Sequence, residues 1–213
     1  MIYKITSYEF YNQLTLEINN ASALTKESWD SIISIREKIV PILYQHQKCS
    51  QMKDLEVTRC GYCGLPVGGT GRGEIEHIAL KSKFPQFSFY SKNLIVVCSN
   101  CNGSSRKGRK FKHIMKVNGK FENHIQYDCM SEQYTKFDFL FIHPKIDDPA
   151  IEIIWNGSIP VKEASSEKGK FHIKLFELDT LIMVMEREKD LNQIERYKKD
   201  PESFKKMIEA CRF

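Results

Sequence analysis

The sequence predicts an α+β protein in three parts: an N-terminal helical segment over residues 1–55, a small cysteine-clamped unit over 56–116, and a C-terminal α+β and helical region over 117–213. Three observations carry this reading. Apolar residues from about position 25 recur at helical spacing. Two Cys-x-x-Cys pairs enclose a glycine-rich loop and two short strand-like runs. The remainder mixes alternating apolar runs with helix-like stretches.

In the first part, "TKESWDSIISIREKIVPILYQH" sets Trp29, Ile32, Ile33, Ile35, Ile39 and Ile42 mostly at three- and four-residue steps, with Thr25 as candidate N-cap and Glu27 and Asp30 near the start. Pro41 is expected to kink or end this helix. In the second part, "CGYCGLPVGGTGRG" holds too many glycines for a regular element and reads as a loop. "EIEHIAL" reads as a short strand and "NLIVVC" as a β-branched one, separated by the aromatic loop "KSKFPQFSFYSK". "SNCNGSSRKGRK" suits a helix start with Ser99 as N-cap. In the third part, "FDFLFIHPKIDDPAIEIIW" places apolar segments around a Pro-Asp-Asp-Pro turn, and "KFHIKLF" reads as an alternating strand. Two terminal helices are expected to begin near Asp179 and Pro201.

Composition narrows the function classes. Hydrophobic residues are 41% and charged residues 28% of the 213, ordinary globular usage that excludes a disordered or fibrous chain. No apolar run approaches the roughly 20 residues needed to cross a bilayer, and "MIYKITSYEF" lacks a signal-peptide core, so a cytoplasmic address is expected. "GGTGRG" lacks the Gly-Lys-Ser/Thr ending of a P-loop. The "NGS" triplets at Asn102 and Asn156 carry no glycosylation without secretion. His143, Asp147 and Asp148 read as turn chemistry.

The net charge of +5 permits nucleic-acid binding without requiring it. Its distribution says more. From Gly103 to Lys120 lie Arg106, Lys107, Arg109, Lys110, Lys112, Lys116 and Lys120 with no acid among them. Such a stripe suits sequence-indifferent phosphate contacts. The aromatics Phe84, Phe87, Phe89 and Tyr90 read first as a small core closing over the unit, and second as a platform for unpaired bases.

Of the seven cysteines, Cys49, Cys129 and Cys211 stand alone and read as packing thiols. Cys60, Cys63, Cys98 and Cys101 supply the four soft ligands of a closed tetrahedral structural zinc site, a better reading than two redox pairs. Inside this clamp lie the adjacent Glu76 and His77, then Asn93 opening the second strand, and Asn102 directly after the last cysteine.

These elements, "CGYC", "EIEHI", "NLIVVC" and "CSNCN" in that order, resemble the HNH endonuclease family with its ββα-metal finger. The resemblance implies a metal-dependent phosphodiester hydrolase. His77 would be the general base, and Glu76 and Asn102 would hold one Mg²⁺ or Mn²⁺ through hard oxygen atoms. Asn93 would hold the loop and orient His77. Glu74, two residues before Glu76, reads as a solvated carboxylate or a second ligand. Many members read C-N-x-x-K-G, whereas this chain reads "CNGSSRKG", with two extra residues. Arg106 and Lys107 therefore both qualify as the phosphate contact, with Arg109 and Lys110 beyond them.

A looser likeness, over about residues 56–185, is to the PtuB-type HNH proteins of the Septu and retron-associated anti-phage systems. It implies an ABC- or SMC-like ATPase partner of the PtuA type, and in retrons a reverse transcriptase with its RNA–DNA. A non-catalytic zinc module that binds nucleic acid or protein stays open beside the nuclease reading.

Overall fold

The computed structural model describes residues 2, 4–5, 18, 28–48, 57–67, 73–103, 106–107, 115–117, 120–121, 134 and 137–210. The expectations for Thr25, Glu27, Cys49, Cys129, Cys211, Arg109 and Lys110 lie outside them. The architecture is α+β: helices around small antiparallel sheets. Among the described residues no helix is long and apolar enough to cross a membrane.

The N-terminal helical pattern is split at Ile32 into α1 (Ser28–Ser31) and α2 (Ile33–His46). Ile35, Ile39 and Leu43 form the buried stripe of α2. The helix runs on through Pro41 to His46, so of the two expected outcomes the proline does not end it. Pro41 sits on the solvent-facing side, as does Glu37 one turn before, so the carbonyl that loses its N–H partner meets water.

β1 (Gly73–His77) and β2 (Leu94–Cys98) pair antiparallel, with Ile75 opposite Val96 and His77 opposite Leu94. β2 is buried on both faces, as its β-branched run anticipates. Leu94 and Val96 pack on α2, while Ile95 and Val97 enter the principal core. The outer edge of β2 is closed by a side chain. Gln47 donates to Val96 O (2.8 Å) and Arg59 O (2.9 Å) and accepts from Val96 N (2.6 Å), taking the place of a neighbouring strand.

α3 (Ser99–Asn102) follows β2 without a loop. Its N-cap is Cys98 rather than Ser99, so the last strand residue is also the first cap. β3 (Met115–Val117), β4 (Lys120–Phe121) and β5 (Phe137–Phe139) form a three-stranded sheet with β3 central. Then come α4 (Pro149–Glu152), the hairpin of β6 (Trp155–Asn156) and β7 (Ile159–Pro160), α5 (Glu167–Phe176), α6 (Leu181–Lys199) and α7 (Pro201–Ala210).

The segment "KFHIKLF", expected as a strand, lies in α5. Ser166 caps it by accepting from Gly169 N (2.9 Å), and the buried set Gly169, His172, Ile173 and Phe176 follows helical spacing. Gly169 is required by close packing. A Cβ there would lie 1.9 Å from the backbone oxygen of Glu152 in α4. α6 begins at Leu181 with Thr180 as its cap position, one residue beyond the expected Asp179, and α7 begins at Pro201.

One hydrophobic core joins the middle and C-terminal parts. Tyr62, Phe84, Ile95 and Val97 share it with Phe139, Phe141, Ile173 and Phe176. Phe84, Phe87 and Phe89 are buried here and against α2, and so serve as core.

Candidate metal centre and its neighbouring polar face

Residues 59–66 form a knuckle. Arg59 bridges to Pro66, Cys60 N donates to Leu65 O (2.9 Å), and Gly64 N returns to Cys60 O (3.0 Å). Gly64 has φ +75°, the left-handed conformation that lets so short a turn close. Gly61 N then donates to Val96 O (2.9 Å), seating the knuckle on β2.

This brings Cys60 and Cys63 against Cys98 and Cys101. All four thiols are buried, and their sulfur atoms lie within 4.8 Å of one another. Cys63 Sγ and Cys98 Sγ are 3.9 Å apart. Four sulfur ligands at about 2.3 Å from a tetrahedral zinc would stand roughly 3.8 Å apart. The cluster could therefore hold a metal such as zinc with little rearrangement. Hydrogen bonds from Cys101, Cys60 and Cys63 pull the Cys98 thiol far below its usual range, and Cys60, Cys63 and Cys98 push Cys101 up.

The knuckle is braced from the C-terminal region. His172 on α5 lies 2.8 Å from the Tyr62 carbonyl through Nε2. Since a carbonyl only accepts, the imidazole carries its proton on Nε2. Arg59 donates to both oxygens of Asp190 on α6 (2.7 and 3.0 Å) and to Gly64 O (2.8 Å).

A second group of polar side chains surrounds β1. Strand alternation sends Glu74 and Glu76 to the face of Val97 and Ile95, and sends His77 to the opposite face with Ile75. The structure thus divides the predicted site. Glu74, Glu76, Asn102 and Lys107 gather on one face, and His77 lies on the other beside Trp29, ring centroids 4.8 Å apart.

His77 is buried, and its Nε2 is 3.0 Å from the Ser88 carbonyl. That acceptor places the proton on Nε2 and leaves Nδ1 as a lone-pair acceptor. Burial lowers its pKa to about 3, against the opposing effect of the Ser88 bond, so the ring is neutral at ordinary pH.

Asn93 is fully buried ahead of β2 and straps the intervening loop. Its Oδ1 accepts from Ala79 N (2.6 Å) and Tyr134 Oη (3.0 Å), while Nδ2 donates to Ala79 O (3.1 Å) and Phe87 O (3.0 Å). Phe87 precedes Ser88, so Asn93 fixes the turn whose next carbonyl holds His77. It makes no contact suited to a metal, having committed both ends of its carboxamide to the chain.

Asn102 donates to Glu74 Oε2 (2.7 Å), so Glu74 orients its carboxamide. Glu74 is thus a positioning partner of Asn102 and not a solvated carboxylate, and its two-residue offset from Glu76 is the sequence signal that places both on one face. The two basic residues differ more sharply from expectation. Lys107 is buried, its ammonium bonded to Glu76 and to the His77 carbonyl (3.0 Å). Arg106 donates to Phe176 O (2.6 Å) and Glu177 (3.2 Å). As placed, both serve the protein's own acceptors, because each reaches a buried or carboxylate oxygen before it reaches the surface.

Burial has a consequence for acid stability. His77 and His143 are depressed to about 3 and His172 to about 4, each chiefly by desolvation. Above the ordinary value of 6.5 these rings are neutral whether folded or not. As pH falls below it the unfolded chain binds protons that the folded one refuses. Stability should drop by up to roughly 1.4 kcal/mol per pH unit for each ring. The urea midpoint at pH 5 is expected to lie well below that at pH 7; equal midpoints would contradict neutral burial.

The fold and the cluster together define a small α+β protein with a buried four-cysteine centre that could hold a metal. No model of a known protein family matches the chain, and no curated protein matches it.

Proposed function

We propose that this protein is a metal-dependent HNH endonuclease that hydrolyses phosphodiester bonds in nucleic acid, its finger held together by zinc at Cys60, Cys63, Cys98 and Cys101. One observation carries the reading: a neutral histidine of assigned tautomer, His77, directly follows a carboxylate, Glu76, that already holds a cation. Nδ1 of His77 is available to take a proton from water. On the other face of β1 the Glu76 carboxylate, the His77 carbonyl and Asn102 Oδ1 would suit a hard ion, and the ammonium of Lys107, bonded to the first two, stands there as a cationic substitute. Mg²⁺ or Mn²⁺ bound there would offset charge on the scissile phosphate and leaving oxygen. Asn93 would keep the Ser88 carbonyl, and hence His77, in position. The basic stripe would meet the nucleic-acid backbone through Arg109 and Lys110, since Arg106 and Lys107 are engaged within the protein. The likeness of the downstream segments to PtuB-type proteins further supports a role as effector of an anti-phage system with an ABC- or SMC-like ATPase.

A second reading, a non-catalytic zinc-stabilised module that binds nucleic acid or protein, is favoured by two observations. Glu76 and His77 leave opposite faces of β1, and Lys107 occupies Glu76. His77→Ala separates the two. With plasmid DNA and total RNA in Mg²⁺ or Mn²⁺, with and without the ATPase, the variant should lose about 10²- to 10⁴-fold in cleavage. Zinc content and circular dichroism should persist. No cleavage by either protein would leave the binding module, and equal cleavage by both would remove His77 as the base.

A further inference from the structure

Lys107 and the proposed divalent ion need the same oxygen atoms. The lysine reaches Glu76 from 31 residues further along the chain, on a separate segment beyond α3. Its side chain is only 2% exposed and that of Glu76 12%. Neither charge is well solvated, so each depends on the other, and a buried charge deprived of its partner is strongly disfavoured. A dication brought to Glu76 while the ammonium stayed would place like charges within a few ångströms in a poorly solvated site.

We propose that Lys107 is a built-in cationic plug: it supplies the charge that balances Glu76, and a divalent ion gains Glu76 only by displacing it. The inference rests on reading Glu76 as an ion ligand. It assigns Lys107 to control of ion binding rather than to the phosphate. It also gives the Lys107 side chain two positions, plugged and released. Arg106, tied to the Phe176 carbonyl and Glu177, holds the adjacent backbone to the end of α5. Ion entry therefore involves a swing of the Lys107 side chain.

Mn²⁺ titration of the full chain, following the resonance of the free ion, tests the plug. Lys107→Met keeps the apolar stem and removes the charge. It should bind Mn²⁺ at least about tenfold more tightly than the unaltered protein, and Glu76→Gln should abolish that binding in both backgrounds. Glu76-dependent binding of equal strength in the two proteins would overturn the plug and leave the ion site standing. No Glu76-dependent binding in either would overturn the ion site and the plug with it. A second measurement needs no variant to fold. In the unaltered protein, amine acylation read by mass spectrometry should find Lys107 protected, and about tenfold more reactive in saturating Mn²⁺. Protection that Mn²⁺ does not change overturns the proposal.

Discussion

Cys98→Ser is expected to reduce bound zinc from one ion per chain to nearly none and to unfold the middle of the protein. Cys98 has three connections at once. It is the last residue of β2, paired across the hairpin with Gly73; it occupies the N-cap position of α3; and its sulfur lies 3.9 Å from that of Cys63. A serine hydroxyl is a poor zinc ligand, and the three remaining thiols would then be packed together with no dication to balance their charge. Because the cluster belongs to the principal core and not to a surface loop, the loss spreads to Tyr62, Ile95 and Phe176. A cost of at least about 4 kcal/mol is expected, a large share of a domain's net stability. Metal analysis and thermal melting check this, and a strong chelator should reproduce the effect in the unaltered protein. A variant that kept its zinc and its melting temperature would remove the cluster from any structural role.

Asp190→Ala should destabilise by about 3–5 kcal/mol, because it breaks a buried, doubly bonded ion pair with the Arg59 guanidinium. Both side chains are only 6% exposed, and two parallel bonds join them. The remaining bond from Arg59 to the Gly64 carbonyl keeps the cation directed into the knuckle, where water cannot easily replace the carboxylate. The pair is the direct link between the knuckle and α6. Replacing both partners by apolar residues of similar volume, Arg59→Met with Asp190→Leu, should recover most of the loss, since removing both charges together is far less costly than removing one of them. Urea unfolding of the single and double variants gives the comparison. A single variant costing less than about 1 kcal/mol would mean that solvent reaches Arg59.

Where local pattern and tertiary packing agree, the elements were legible in the sequence. "NLIVVC" is β-branched and buried on both sides, and its strand begins at Leu94, one residue after the expected Asn93. The two Cys-x-x-Cys pairs meet as their spacing anticipates, since one follows a tight turn and the other closes a strand. "KFHIKLF" shows the limit. It alternates over seven residues and also fits helical spacing, and local pattern does not separate the two. The Ser166 cap and the seating of Gly169 against the Glu152 carbonyl decide for helix, and the second of these comes from a different element. Pro41 failed as a stop signal because its lost hydrogen bond faces water, a property of orientation and not of sequence.

The candidate site divides in the same way. By residue type and order alone the sequence determined four soft ligands, an adjacent carboxylate and histidine at a strand end, and amides before the second strand and after the last cysteine. It did not determine which way these side chains point. Alternation along β1 separates Glu76 from His77, and a lysine counted among surface charges turns inward to neutralise Glu76. Asn102 is oriented by Glu74, and Asn93 by backbone atoms of the loop it closes. A residue's chemistry is local and can be read in the chain. Its partner is chosen when burial removes water, and each charge must then find its opposite wherever the fold has placed it.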